Sequence, residues 1–120
     1  MPQTTPARPD SQYVSLKLVN EMIVEIAEFR ISPDARDAFA AAITQAAGSI
    51  LAKAKGYREH RLLACQESPG RFVLIVEWDS LEAHTVGFRQ SPAFGQWRAI
   101  IGPYFQQPPH VEHFDPVAAT

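Results

Sequence analysis

An α+β domain built in the order β-α-β-β-α-β is predicted for this chain by three observations. Stretches rich in β-branched and aromatic residues alternate with stretches whose apolar residues recur every three or four positions. Each helix-like stretch is preceded by a start signal, Ser32-Pro33 or Asp79-Ser80-Leu81-Glu82. Two strand-like stretches flank the turn signal Pro69-Gly70 and so read as a hairpin.

The first strand is Met22 to Ile31, stopped by Ser32-Pro33. Ser32 suits an N-cap and Pro33 suits the first helical position, where its missing N–H costs nothing. The helix that follows carries Ala35, Phe39, Ile43, Ala46, Ala47 and Leu51 on one face, is weakened by Gly48 and is expected to end at Gly56. Tyr57 to Ser68 and Arg71 to Trp78 form the hairpin. A capping box, with Asp79 accepting from the backbone and Glu82 reaching back, predicts a second helix after Trp78. Ser91-Pro92 restarts a short helical stretch through Ile101, and after the Gly102-Pro103 break His110 to Phe114 forms a fourth strand. This is the split βαβ, ferredoxin-like arrangement: a four-stranded antiparallel sheet with both helices on one face.

A length of 120 residues gives room for one core. Residues 1–20 read as a polar, proline-rich arm, 21–115 as the domain and 116–120 as a tail; of the ten prolines only Pro33, Pro69 and Pro92 fall in the middle of the chain. The 11 basic and 13 acidic residues form no run of like charge, which gives little basis for binding nucleic acid or an anionic membrane. The single cysteine, Cys65, permits no internal disulfide and no thiolate metal cluster, and within its strand it reads as packing. No segment approaches the roughly 20 apolar residues of a membrane span. The start lacks the apolar centre of a secretory signal, so a cytoplasmic protein is expected.

The central strands are apolar on both faces. Phe72, Leu74, Val76 and Trp78 oppose Val73 and Ile75, while Ile23, Ala27, Phe29 and Ile31 oppose Met22, Val24 and Ile26. One pair of helices covers only one face, so a homodimer packed sheet to sheet is expected.

Candidate site residues concentrate between Trp78 and Trp97. On an α-helix Leu81, His84 and Phe88 would share the inward stripe. His84 is then either a satisfied core histidine or a proton acceptor for a polar ligand group. Trp78, Phe88, Phe94 and Trp97, with Tyr104 and Phe105, supply flat walls suited to a planar aromatic ligand, or else simple core filling. Glu28, Glu77 and Glu112 lie within apolar strands and are candidates for buried carboxylates, with Arg30, Arg58 and Arg61 available to pair with them. His110 and His113 are three apart on a strand and so point to opposite faces, which argues against a shared metal, and His60 stands alone. No dinucleotide fingerprint, phosphate-binding loop or nucleophile elbow is present.

The segments MIVEIAEFRI, VEWDSLEAH, FRQSPAFGQWRAIIGPYF and PPHVEHF together resemble the antibiotic biosynthesis monooxygenase family, of the dimeric α+β barrel superfamily, over about Met22 to Phe114. The resemblance implies the same fold and a face-to-face dimer. It further implies either cofactor-independent oxygenation of phenols to quinones or haem degradation. The haem branch uses a first-strand asparagine where this chain has Ala27, Glu28 and Phe29, and a histidine common three residues before the Ser-Pro pair is here Phe88. The expectation is therefore an oxygenase of a small electron-rich aromatic substrate that uses dioxygen with neither cofactor nor metal. In it His84 is the catalytic residue that hydrogen-bonds or deprotonates the substrate hydroxyl, and Trp78, Phe88, Phe94 and Trp97 bind the ring. A non-enzymatic dimeric ligand-binding protein and a proton-transfer isomerase of the same fold are the alternatives.

Overall fold

A computed structural model describes residues 21–117. The arm expected over 1–20 and the last three residues of the tail lie outside the described residues. Strands β1 (Ile23–Arg30), β2 (Tyr57–Ala64), β3 (Arg71–Trp78) and β4 (His110–Phe114) form one sheet in the order β2-β3-β1-β4, with every neighbouring pair antiparallel. Helices α1 (Arg36–Ser49) and α2 (Pro92–Ile101) cover one face, so the ferredoxin-like β-α-β-β-α-β fold is the one observed. No helix among the described residues is long and apolar enough to cross a membrane.

Strict alternation along the central strands builds the core. Ile23, Ala27, Phe29 and Ile31 of the first strand region and Phe72, Leu74, Val76 and Trp78 of β3 are buried beneath the helices. Helix α1 contributes Phe39, Ile43, Ala46 and Ala47 to the same core. Phe39 is fully buried and meets Phe29, Phe72, Tyr104 and Phe105 edge-on, so its truncation to alanine is expected to cost about 3–5 kcal/mol. Phe29 and Phe105 stack with centroids 5.2 Å apart.

Several boundaries differ from the sequence reading. Pro33 opens a 3-10 turn, Pro33–Ala35, before α1 begins, and Ser32 caps it through its carbonyl, which accepts from Ala35 N–H, without using its hydroxyl. Helix α1 ends at Ser49 and a 3-10 turn, Leu51–Lys53, carries the chain on to Gly56. Gly56 is at φ 89°, and a Cβ there would sit 2.6 Å from the Ala83 Cβ. Glycine therefore lets β2 begin directly against the segment that carries His84. Strand β2 stops at Ala64, leaving Cys65 partly exposed at the hairpin, its N–H donating to the Arg71 carbonyl.

The largest departure follows Trp78. Leu81 and Glu82 are helical, but Ala83–Phe88 is a π-helix, shown by Arg89 N–H donating to the His84 carbonyl five residues back at 2.9 Å. The capping box does not form. The Asp79 carboxylate accepts from Arg58 instead, at 2.7 Å, and the Ser80 hydroxyl accepts from Ala83 N–H. In the wider π turn, residues four apart stay nearly in line whereas residues three apart do not. His84 and Phe88 therefore face inward together, while Leu81 is exposed.

Candidate active site

The same alternation that buries Ile23 and Ala27 buries Glu25, which lies between them on the covered face and is 6% exposed. On the sheet Glu25 is directly opposite Val76 of β3 and His113 of β4. Trp78, one position further along the same face of β3, donates from its indole Nε1–H to Glu25 Oε1 at 2.9 Å. The π-helix lowers His84 onto this group: its Nε2 lies 3.4 Å from the same carboxyl oxygen and its Nδ1 lies 2.8 Å from His113 Nε2, one ring donating to the other. The His84 ring also stacks on Trp78, with centroids 5.1 Å apart.

Burial sets the protonation states. Desolvation raises the Glu25 carboxyl above its usual range, opposed by the Trp78 hydrogen bond and the field of Arg89. Desolvation, reinforced by Arg89 and His113, pushes His84 down to about 3, and His113 is lowered by desolvation and Arg89. His84 is therefore a neutral imidazole near neutral pH, a hydrogen-bonding group and a weak base. Glu25, shifted toward neutrality, is the better proton acceptor of the two.

Glu25 and His84 are buried lining residues of a cavity of about 280 Å³. Phe88, Phe94, Trp97 and Phe105 line its length, and the exposed Arg89 and Arg98 stand at its rim. Of the residues singled out from sequence, His84, Phe88, Phe94 and Trp97 thus come together around one space. Trp78 does not line it: the indole is wholly buried and backs the cavity through Glu25, His84 and Phe88. His113, on the same sheet face, lines a second cleft that it shares with Glu21, Glu82 and Asp115.

The other carboxylate candidates lie on the open sheet face. Glu28 pairs with Arg71 and Arg30, and the Arg71 hydrogen bond holds its carboxyl below the usual range. Glu77 is raised by desolvation and by neighbouring Glu59. Glu112 lies 3.2 Å from His110. His60 is not alone, since its Nδ1 is 2.6 Å from the Tyr57 hydroxyl. Sequence reasoning passed over Glu25 and Arg89, and weighed His113 only as a metal ligand. The signal for Glu25 was its shared parity with Ile23 and Ala27. For His113 it was the strand spacing that separates it from His110. Among the described residues, no three His, Cys, Asp or Glu side chains are grouped to hold a metal ion.

Comparison with known proteins decides the family. The family model described as antibiotic biosynthesis monooxygenase matches residues 22–100. The chain belongs to the antibiotic biosynthesis monooxygenase family. A crystal structure from Bordetella bronchiseptica named for antibiotic biosynthesis monooxygenase is 36% identical, with a TM-score of 0.76 over 82% of this chain and 99% of that one. Rv0793 from Mycobacterium tuberculosis is 26% identical, with a TM-score of 0.67 over 82% of this chain and 97% of its own. The uncharacterized protein YczJ of Bacillus subtilis (strain 168) is 38% identical over 96 residues, which span 80% of this chain and 100% of that protein. The residues matched by the antibiotic biosynthesis monooxygenase family model include Glu25, His84, Phe88, Phe94 and Trp97.

Proposed function

We propose that this protein is a cofactor-independent monooxygenase that oxidises a small phenolic aromatic with dioxygen. The observation that carries this reading is a buried carboxyl, Glu25, with raised proton affinity in the wall of an aromatic-lined cavity. Ionising a phenol makes it a better electron donor, and a base in a water-poor pocket supplies that step. Glu25 accepts the hydroxyl proton, Trp78 and His84 orient its carboxyl, and His84 and His113 connect it to the outer cleft. For a naphthol the reaction balances without a further reductant. The substrate gives four electrons; one oxygen atom bonds to the ring carbon para to the hydroxyl, and the other leaves as water with the hydroxyl proton and the hydrogen of that carbon. Dioxygen uptake on a panel of naphthols and hydroquinones is the test, with Glu25→Gln as the control. Uptake of one dioxygen per quinone, lost in the variant, supports the reading. Deuterium exchange into substrate without dioxygen uptake would identify a proton-transfer isomerase instead.

The working unit in this proposal is a homodimer. The uncovered sheet face presents Val24, Ile26, Val73 and Ile75, with Leu63 and Phe114 exposed beside them. An apolar face of this kind is stabilised when a second copy covers it.

A further inference from the structure

The two cationic side chains of the cavity are both at its rim. Arg89 follows the wall residue Phe88 directly, and Arg98 lies one residue beyond the wall residue Trp97. Neither guanidinium makes an ion pair with a described residue, although Arg30, Arg36, Arg58 and Arg71 all do. Arg98 is held over the Phe94 ring, 5.9 Å from its centroid. Stacking of that kind orients the planar fork and leaves its N–H edges free for an oxyanion. Arg89 is close enough for its charge to act on Glu25, His84 and His113. The chain as a whole carries a net charge of -2, so this pair is a local positive spot and no part of a basic surface. The cavity therefore brings together a proton-accepting carboxyl, aromatic walls and two exposed cations.

Resting on the reading that this cavity takes the substrate, we propose that its ligand is a flat aromatic acid, with its ring between Phe88, Phe94 and Trp97 and its anionic group held by Arg89 and Arg98. A carboxylate at the rim pairs with two guanidiniums that have no ion-pair partner among the described residues, and the ring's opposite edge then points toward Glu25. Bidentate charge-assisted hydrogen bonds select the ionised acid over a neutral analogue of the same shape.

The test is equilibrium binding followed by quenching of tryptophan fluorescence. It uses the full chain, with 5-hydroxy-2-naphthoate, whose hydroxyl and carboxylate sit on different rings, compared with its neutral carboxamide and with 1-naphthyl phosphate. The expected result is at least tenfold tighter binding of the carboxylate than of the amide, with the preference weakening as salt is raised. In the Arg89→Gln/Arg98→Gln double variant the acid falls to the level of the amide, and Arg89→Lys/Arg98→Lys restores part of the preference. Equal binding of acid and amide overturns the proposal. So does a preference that survives in the glutamine variant, or no binding of either compound at millimolar concentration. Phosphate bound in preference to carboxylate replaces the carboxylate as the rim group and overturns that assignment. The readout needs no turnover, so it separates from the oxygenase test. Acid selectivity without dioxygen uptake leaves this proposal standing and removes the oxygenase, while uptake on neutral naphthols without acid selectivity does the reverse.

Discussion

His84 Nδ1 and His113 Nε2 are 2.8 Å apart, and this contact joins the π-helix to the edge strand β4. One ring donates and the other accepts, which suits two neutral imidazoles. Protonating both would place donors nose to nose in a buried site.

Stability should therefore depend on pH in a defined way. His84, ordinarily near 6.5, is pushed down to about 3, so the unfolded chain binds its proton first as pH falls. The contribution of the neutral ring is fully present above about 6.5 and is lost progressively toward 3, with His113 acting in the same direction. NMR titration of the imidazole nitrogens should show His84 neutral throughout the range from pH 7 to about 5; a midpoint at its ordinary value would contradict the buried pair.

Glu25 acts with the opposite sign. Its carboxyl is raised above 4.5, so the folded chain holds this proton longer than the unfolded one. Its stabilising contribution is present below 4.5 and is lost as pH rises through the folded value. Glu25→Gln retains an oxygen for the Trp78 N–H and removes the buried charge. Thermal melts near pH 8 should show the variant more stable by about 1 kcal/mol, roughly 4–8 °C for a domain of this size. Dioxygen uptake by the same variant should disappear. A melting point lowered at pH 8 would mean that the ionised form is the better fitted one.

The open sheet face makes a separate prediction. Ile26 and Ile75 are direct cross-strand partners near its centre. Replacing both with lysine should convert a dimer to a monomer in light scattering at micromolar concentration, since charge at the core of an apolar interface is strongly disfavoured. A wild-type monomer under the same conditions would refute the sheet-to-sheet assembly.

Gly56→Ala tests how the His84 segment is positioned. The substitution combines a left-handed backbone with a clash against Ala83, so a loss of roughly 2–4 kcal/mol is expected in denaturant unfolding. If the folded variant keeps the wild-type His84 titration, the glycine serves β2 alone and not the site.

The order of strands and helices, the covered face of the sheet and the aromatic walls were determined by the sequence itself. Apolar periods of two and of three to four are local properties, and Ile23, Ala27, Phe29 and the α1 stripe express them without reference to distant residues. The same parity already placed Glu25 inside, although isoleucine and alanine on either side of it disguised a carboxyl as a core position. Tertiary structure decided what Glu25 meets. Trp78, His84 and His113 are 53, 59 and 88 residues away in the chain, and only the sheet register and the π turn bring their nitrogens to it and to one another. The π turn itself was not legible, because an α-helix and a π-helix share their apolar residues and differ in one hydrogen-bond step. That step swings Leu81 out to solvent and seats His84 and Phe88 together beside the buried carboxyl.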